Sequence, residues 1–262
     1  MTVDLQAIFS YVALPLLVVL GLWATWAKEK KTYDKKKREA AKNGWTYRRF
    51  DRKLHRKYRY LPFVDGGSLR ATHVMRGEYR GRPLTMFTLQ FSTEEYVDRG
   101  RSGDDDLDND GNRDTHRVKH RYGVVAVGLP APLPDFDLQA KKASAKPSRP
   151  QRLLRNVIGA VGGMVNDSVH TATVETGDEV FDKAFEIWSP NPERIRELLT
   201  PTVRTWLLKS DKAKKYTVRC TGDEIVTWGT GTDTAIGKVK ANYLNDLLDQ
   251  LPADQLWGPP PA

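Results

Sequence analysis

Residues 5–27 form a run of 23 side chains without a charge, closing on Trp23 and Trp26 and followed at once by Lys28, Lys30, Lys31, Lys35, Lys36, Lys37 and Arg38. A helix of that length reaches about 34 Å at ~1.5 Å per residue, against a hydrocarbon core of ~30 Å. The run is apolar on all sides, and its tryptophans sit where an interfacial belt would lie. A cleaved signal peptide would carry positive charge ahead of the apolar stretch, whereas the charged side chain here is Asp4. The expectation is a transmembrane helix over 1–27 retained in the chain. The basic flank sets the orientation by the positive-inside rule: a single pass in the inner (plasma) membrane, N-terminus outside, C-terminal domain in the cytoplasm.

The net charge of +9 is unevenly spread. Residues 28–60 hold 15 Lys and Arg against 4 Asp and Glu, which leaves 27 basic and 29 acidic residues elsewhere. The basicity therefore belongs to a juxtamembrane stem, 28–44, and the strands just after it. Its expected partner is the lipid bilayer, through anionic headgroups that attract basic side chains by about 1 kcal/mol each. Nucleic acid is disfavoured as a partner, and lipid binding by the domain beyond residue 60 would need a basic face concealed within the balance of −2 found outside 28–60.

From residue 45 to 258 the patterning is that of an α+β domain: a β-rich portion with antiparallel strands, then a few C-terminal helices. Residues 69–79 and 84–97 alternate around Arg-Gly-Arg-Pro and read as a hairpin. A third strand is expected over 115–129, ending at Pro-Ala-Pro-Leu-Pro. Residues 141–150 have linker composition and mark a subdomain seam. The segment 153–165 is apolar but glycine-interrupted, too short for a second span. Phe-Asp-Lys-Ala-Phe-Glu-Ile-Trp (181–188) reads as a strand. Asn191-Pro192 and Thr200-Pro201 read as two helix starts, 215–220 and 224–228 as a hairpin over 221–223, and Ile236 to Leu251 as one long amphipathic helix. Residues 259–262 are a disordered tail.

Few residues point to chemistry. Asp106, Asp108 and Asp110 with Gly111 reproduce half of a calcium loop, with Asp114 at the ninth position. Arg117 stands where the closing bidentate Glu belongs, so a solvated Asp-rich hairpin loop is the preferred reading and calcium the alternative. His116 and His120 lie on one face of a strand but about 13 Å apart at ~3.3 Å per residue, too far to share an ion. Gly229 to Lys238 lacks the glycine spacing of a phosphate loop and reads as a turn and helix cap. Cys220, the sole cysteine, reads as a buried thiol. No nucleophile, acid–base pair or cofactor motif emerges, so the expectation is a protein that is not an enzyme.

Gly-Trp-Thr-Tyr-Arg-Arg-Phe-Asp (44–51), Gly-Glu-Tyr-Arg-Gly-Arg-Pro-Leu-Thr-Met-Phe (77–87), the 115–134 stretch ending Leu-Pro-Ala-Pro-Leu-Pro, Phe-Asp-Lys-Ala-Phe within 180–201, and Leu-Pro-Ala-Asp-Gln-Leu-Trp (251–257) occur in that order. On these segments the chain resembles an uncharacterised actinobacterial family of single-pass membrane proteins, also found among genes of their phages. The resemblance implies an anchor followed by a β-rich domain and carries no activity. It fits a non-enzymatic interaction or regulatory module whose partner is an unknown membrane-associated protein. For a phage gene, host-membrane modification against a second infection is the specific form. The alternative is an envelope-associated enzyme whose pocket is assembled from distant residues.

Overall fold

The computed structural model describes residues 14–58, 69–96, 115–141 and 172–252. They form an α+β fold around a six-stranded antiparallel sheet. In chain order the elements are α1 (Leu14–Lys42), β1 (Thr46–Asp51), α2 (Leu54–Lys57), β2 (Arg70–Tyr79), β3 (Arg82–Tyr96), β4 (Thr115–Ala140), α3 (Glu179–Ala184), β5 (Phe185–Trp188), α4 (Pro192–Leu198), α5 (Pro201–Lys209), α6 (Asp211–Lys215), β6 (Val218–Gly229) and α7 (Thr234–Gln250). The Asp-rich loop 104–114, the segment 153–165, the tail 259–262 and all but Lys141 of the expected seam 141–150 lie outside the described residues.

α1 corrects the first expectation. Its apolar part within the described residues, Leu14 to Ala27, is 14 residues long and about 21 Å at ~1.5 Å per residue; Lys28 then begins its charged half. Among the described residues no helix is long and apolar enough to cross a membrane. The single-pass inner-membrane placement with an outside N-terminus, and the transmembrane helix in the fold description, are therefore not upheld. The charged half is also less detached than a stem. α1 closes with Trp45 N–H donating to Ala40 O and Gly44 N–H to Ala41 O, the crossed pair of a Schellman motif, with Gly44 at φ +72°. Ala40 and Trp45 are both buried in the main core.

β2 and β3 form the expected hairpin, turning through Arg80 and Gly81, both at positive φ as a type I′ turn requires. β4 does not stop at its prolines. It runs for 26 residues, pairing with β3 over 115–127 and, on its other edge, with β6 over 123–138. Pro130, Pro132 and Pro134 fall where the β4–β6 register shifts, between Gly128 and Phe136, so their missing N–H groups break no regular ladder. β6 is likewise continuous. The Thr221–Asp223 stretch reads as a reversal in sequence, but Gly222 at φ +57° sits opposite Leu133 and bends β6 along with β4. Phe-Asp-Lys-Ala is helical because the Asp178 carboxylate accepts from the N–H groups of Val180 and Phe181, and the strand begins only at Phe185.

Side chains alternate between two cores. Met75, Met86, Val125, Val127 and Ile225 join α3–α7 on one face; Phe87, Val124, Ala126 and Val226 join Leu54 and Tyr58 around α2 on the other. α7 follows its sequence pattern, burying Ala241, Tyr243, Leu244, Leu247 and Leu248 and ending before Pro252.

Candidate functional site

The last turns of α1 are stitched to the loop that opens α7. Lys36 Nζ donates to Thr232 O at 3.0 Å, Thr234 Oγ1 to Glu39 Oε2 at 2.5 Å, and Lys238 Nζ to Asn43 Oδ1 at 2.6 Å. Beneath this junction Lys240 turns inward. Its ammonium donates to the carbonyls of Gly123 (2.7 Å), Gly229 (3.2 Å) and Gly231 (3.2 Å), so a single cation ties β4, β6 and the α7 loop together. Burial, with Lys215 nearby, pulls its pKa down to about 8. This explains the Gly229 to Lys238 stretch: its glycines bring carbonyls to Lys240.

β2 contributes a strained residue to the same place. His73 has φ +52° in the bulge where the β2–β3 register shifts between Thr72 and Met75. Its Nδ1 shares a 2.7 Å hydrogen bond with Tyr47 OH. Burial, then the charges of Lys36, Arg49 and Arg121, bring the imidazole down to about 4, while burial beside Tyr33 pushes Tyr47 up to about 12. Both groups are thus neutral across the ordinary pH range.

A cleft between Lys36, His73, Thr88, Gly123, Asp233 and Lys240 leaves about 20 Å³ for water, room for one molecule. A shallower hollow of about 300 Å³ borders Pro83, Gly128, Leu129, Asp223 and Glu224 at the β4–β6 bulge. Its carboxylates are engaged by Lys57, whose Nζ lies 2.9 Å from Glu224 Oε2 and 3.5 Å from Asp223 Oδ1. The first space brings Lys36, His73, Asp233 and Lys240 together, the second Asp223 and Glu224.

The depressed imidazole has a measurable consequence. A His whose folded pKa lies below its unfolded value of ~6.5 binds fewer protons folded than unfolded, so stability falls as pH drops from about 6.5 toward about 4. His73→Gln is expected to lower the melting temperature less over that window than wild type does. Equal acid-side losses in calorimetry would show that His73 is not the group responsible.

Of the basic residues singled out by sequence, Lys28, Lys30, Lys31, Lys35, Lys37 and Arg38 are exposed on α1, and Lys36 is drawn into the junction with its pKa lowered by burial. Preceding them, Leu16, Leu17, Val18, Val19, Leu20, Trp23 and Trp26 are between 52% and 64% exposed, and Lys30 Nζ stands 5.0 Å over the Trp26 ring. Asp106, Asp108, Asp110 and Asp114 lie outside the described residues, as does the His116 side chain; His120 stacks on Phe91 at 4.9 Å. Among the described residues no three His, Cys, Asp or Glu side chains gather as metal ligands. Cys220 is fully buried, and burial raises its thiol pKa. His73, Tyr47 and Lys240 carried no sequence signal: a bulge and a carbonyl cradle exist only once the strands are paired.

No family model matches the chain, and no curated protein matches it. Among solved structures, the crystal structure of the mycobacterial trehalose monomycolate transport factor A, TtfA, is similar: 14% identity, TM-score 0.48, covering 87% of this chain and 96% of that one.

Proposed function

We propose that this chain is a non-enzymatic binding module that attaches to an anionic lipid surface through α1. The observation that carries the reading is the two-part character of that helix. Its first half leaves Leu16 to Leu20, Trp23 and Trp26 bare, and its second half presents six exposed cations from Lys28 to Arg38. Soluble surfaces rarely leave so many large apolar side chains contiguous. The described apolar turns end in Trp23 and Trp26 directly before the lysines, the order in which headgroup-level aromatics and interfacial cations stand at a membrane surface. Anchoring by both signals together is stronger than by either alone. The small volume of the cleft beside Lys240, about 20 Å³, is in keeping with a non-catalytic role. At such a surface the domain meets other surface-bound proteins at raised effective concentration, which suits an interaction or regulatory module.

The full chain is expected to float with phosphatidylglycerol-containing vesicles and to be released by salt. Replacing Lys28, Lys30, Lys31, Lys35, Lys37 and Arg38 together by Gln is expected to weaken that binding at least ~100-fold, at about 1 kcal/mol per basic residue near the headgroups. Failure of the wild-type chain to float, with self-association in its place, would assign the apolar half to a protein contact.

A further inference from the structure

On the helix-bearing face of the sheet, Thr88 and Gly123 line the cleft with Lys36 and Lys240. Two residues further along the strands, on the same face, the register sets Arg70 opposite Gln90 and Gln90 opposite Arg121, and the next row sets Ser92 opposite Lys119. Arg70, Lys119 and Arg121 are exposed and, among the described residues, have no carboxylate partner. Other arginines are paired, Arg76 with Asp51, Arg80 with Asp246 and Asp249, Arg82 with Asp249, Arg194 with Glu197, Arg204 with Asp178 and Arg219 with Asp137, whereas Arg48, Arg52 and Arg56 are exposed with no carboxylate partner among the described residues. Arg49, between the Arg48–Val74 and Phe50–Thr72 pairs of β1 and β2, stands beside this row with Glu29 as its counter-ion.

The row also lies at an informative end of the sheet. Thr46 of β1 pairs with Arg76 and Asp51 with Ala71, so β1 runs from the buried end of α1 at Ala40 toward the level of Glu29, which Arg49 reaches at 2.7 Å, and the antiparallel β2 starts at that far end with Arg70. Beyond Glu29, α1 continues into its apolar half. These cations, which have no carboxylate partner among the described residues, therefore stand at the end of the sheet toward which the bare apolar helix projects.

We propose that Arg70, Lys119 and Arg121 form a second, sheet-borne contact for the phosphates of anionic lipid headgroups, fixing the domain against the surface that α1 enters. The inference rests on the lipid-surface reading of α1 and adds an orientation to it. A helix alone leaves the domain free to rotate about its axis, whereas two footings on different elements hold one face down. Charge complementarity selects the occupant: Arg70 and Arg121 are two strand spacings apart, about 10 Å at ~4.8 Å each, separated by neutral Gln90, and are continuous with an apolar element that a nucleic acid has no use for. A net balance of −2 over the rest of the chain conceals this row, because its members are 49 to 51 residues apart in sequence from Arg70.

The test uses the full chain, vesicles of phosphatidylcholine with and without phosphatidylglycerol, and the triple variant Arg70→Gln, Lys119→Gln, Arg121→Gln. The expected result is a loss of roughly 100-fold in affinity for the anionic vesicles, from three contacts at about 1 kcal/mol each. The melting temperature is expected to be unchanged, as is the residual binding to pure phosphatidylcholine through α1. A triple variant that binds like wild type, while the α1 glutamine variant does not, overturns the sheet contact and leaves the helix reading intact. A wild-type chain that ignores both kinds of vesicle overturns both. Tighter binding to a DNA duplex than to anionic vesicles, abolished in the triple variant, would overturn the choice of lipid.

Discussion

Asp137→Ala is expected to destabilise the folded chain by about 3–5 kcal/mol, read as a fall in the urea midpoint with little change in slope. Asp137 and Arg219 are cross-strand neighbours on β4 and β6. Their side chains are 5% and 1% exposed, and the guanidinium grips the carboxylate with two hydrogen bonds, Nε donating to Oδ1 at 2.7 Å and Nη2 to Oδ2. Such a pair contributes little over an apolar pair of like volume, because both ions were taken out of water to make it. Removing one partner is another matter, since it takes from a buried guanidinium the carboxylate that it grips with two hydrogen bonds. The double variant Asp137→Leu, Arg219→Met is therefore expected to recover much of the loss. If Asp137→Ala alone costs under 1 kcal/mol, water reaches Arg219 and the site is not the dry one its exposure implies.

Lys240→Met is expected to cost about 2–4 kcal/mol, since hydrogen bonds to charged groups contribute about 1.5–3 kcal/mol each and add imperfectly. Methionine keeps the stem and its packing but returns nothing to the carbonyls of Gly123, Gly229 and Gly231. The loss is expected to be local as well as global. Hydrogen exchange should accelerate first in the loop between β6 and α7, and with it the seating of Lys36 on Thr232. Unaltered protection there, with unchanged stability, would mean that the carbonyls find water as readily as the ammonium.

How much of this was legible in the sequence depended on whether the deciding contact was local. The β2–β3 hairpin was readable because its turn residues, Arg80 and Gly81, settle the reversal by themselves. α7 was readable because Tyr243, Leu244, Leu247 and Leu248 repeat at helical spacing. β4 and β6 were misread at the same spot for one reason. The prolines of β4 and the Thr-Gly-Asp of β6 each resemble a stop, and only their juxtaposition makes them a shared bend. The helix over 179–184 was missed because the cap at Asp178 outweighs a strand-like run of apolar residues. For the candidate surface, the cations of α1 were contiguous and visible, whereas Arg70, Lys119 and Arg121 become neighbours only through the register of three strands. The span expected from the uncharged residues 5–27 is not upheld, because no helix among the described residues is long and apolar enough to cross a membrane.

β4 has one edge that waits. Its residues 123–138 find their β6 partners 80 to 106 positions later in the chain. At translation rates of about 5–20 residues per second, Val124 to Phe136 leaves the ribosome roughly 4–20 s before β6 is made. For that interval a long, apolar, unpaired strand edge stands open to any neighbouring nascent chain. The bend at Pro130, Pro132 and Pro134 falls inside that edge, where missing N–H groups interrupt the template that a foreign strand would need. The prolines thus guard the chain during its birth at the place where they later shape the finished sheet.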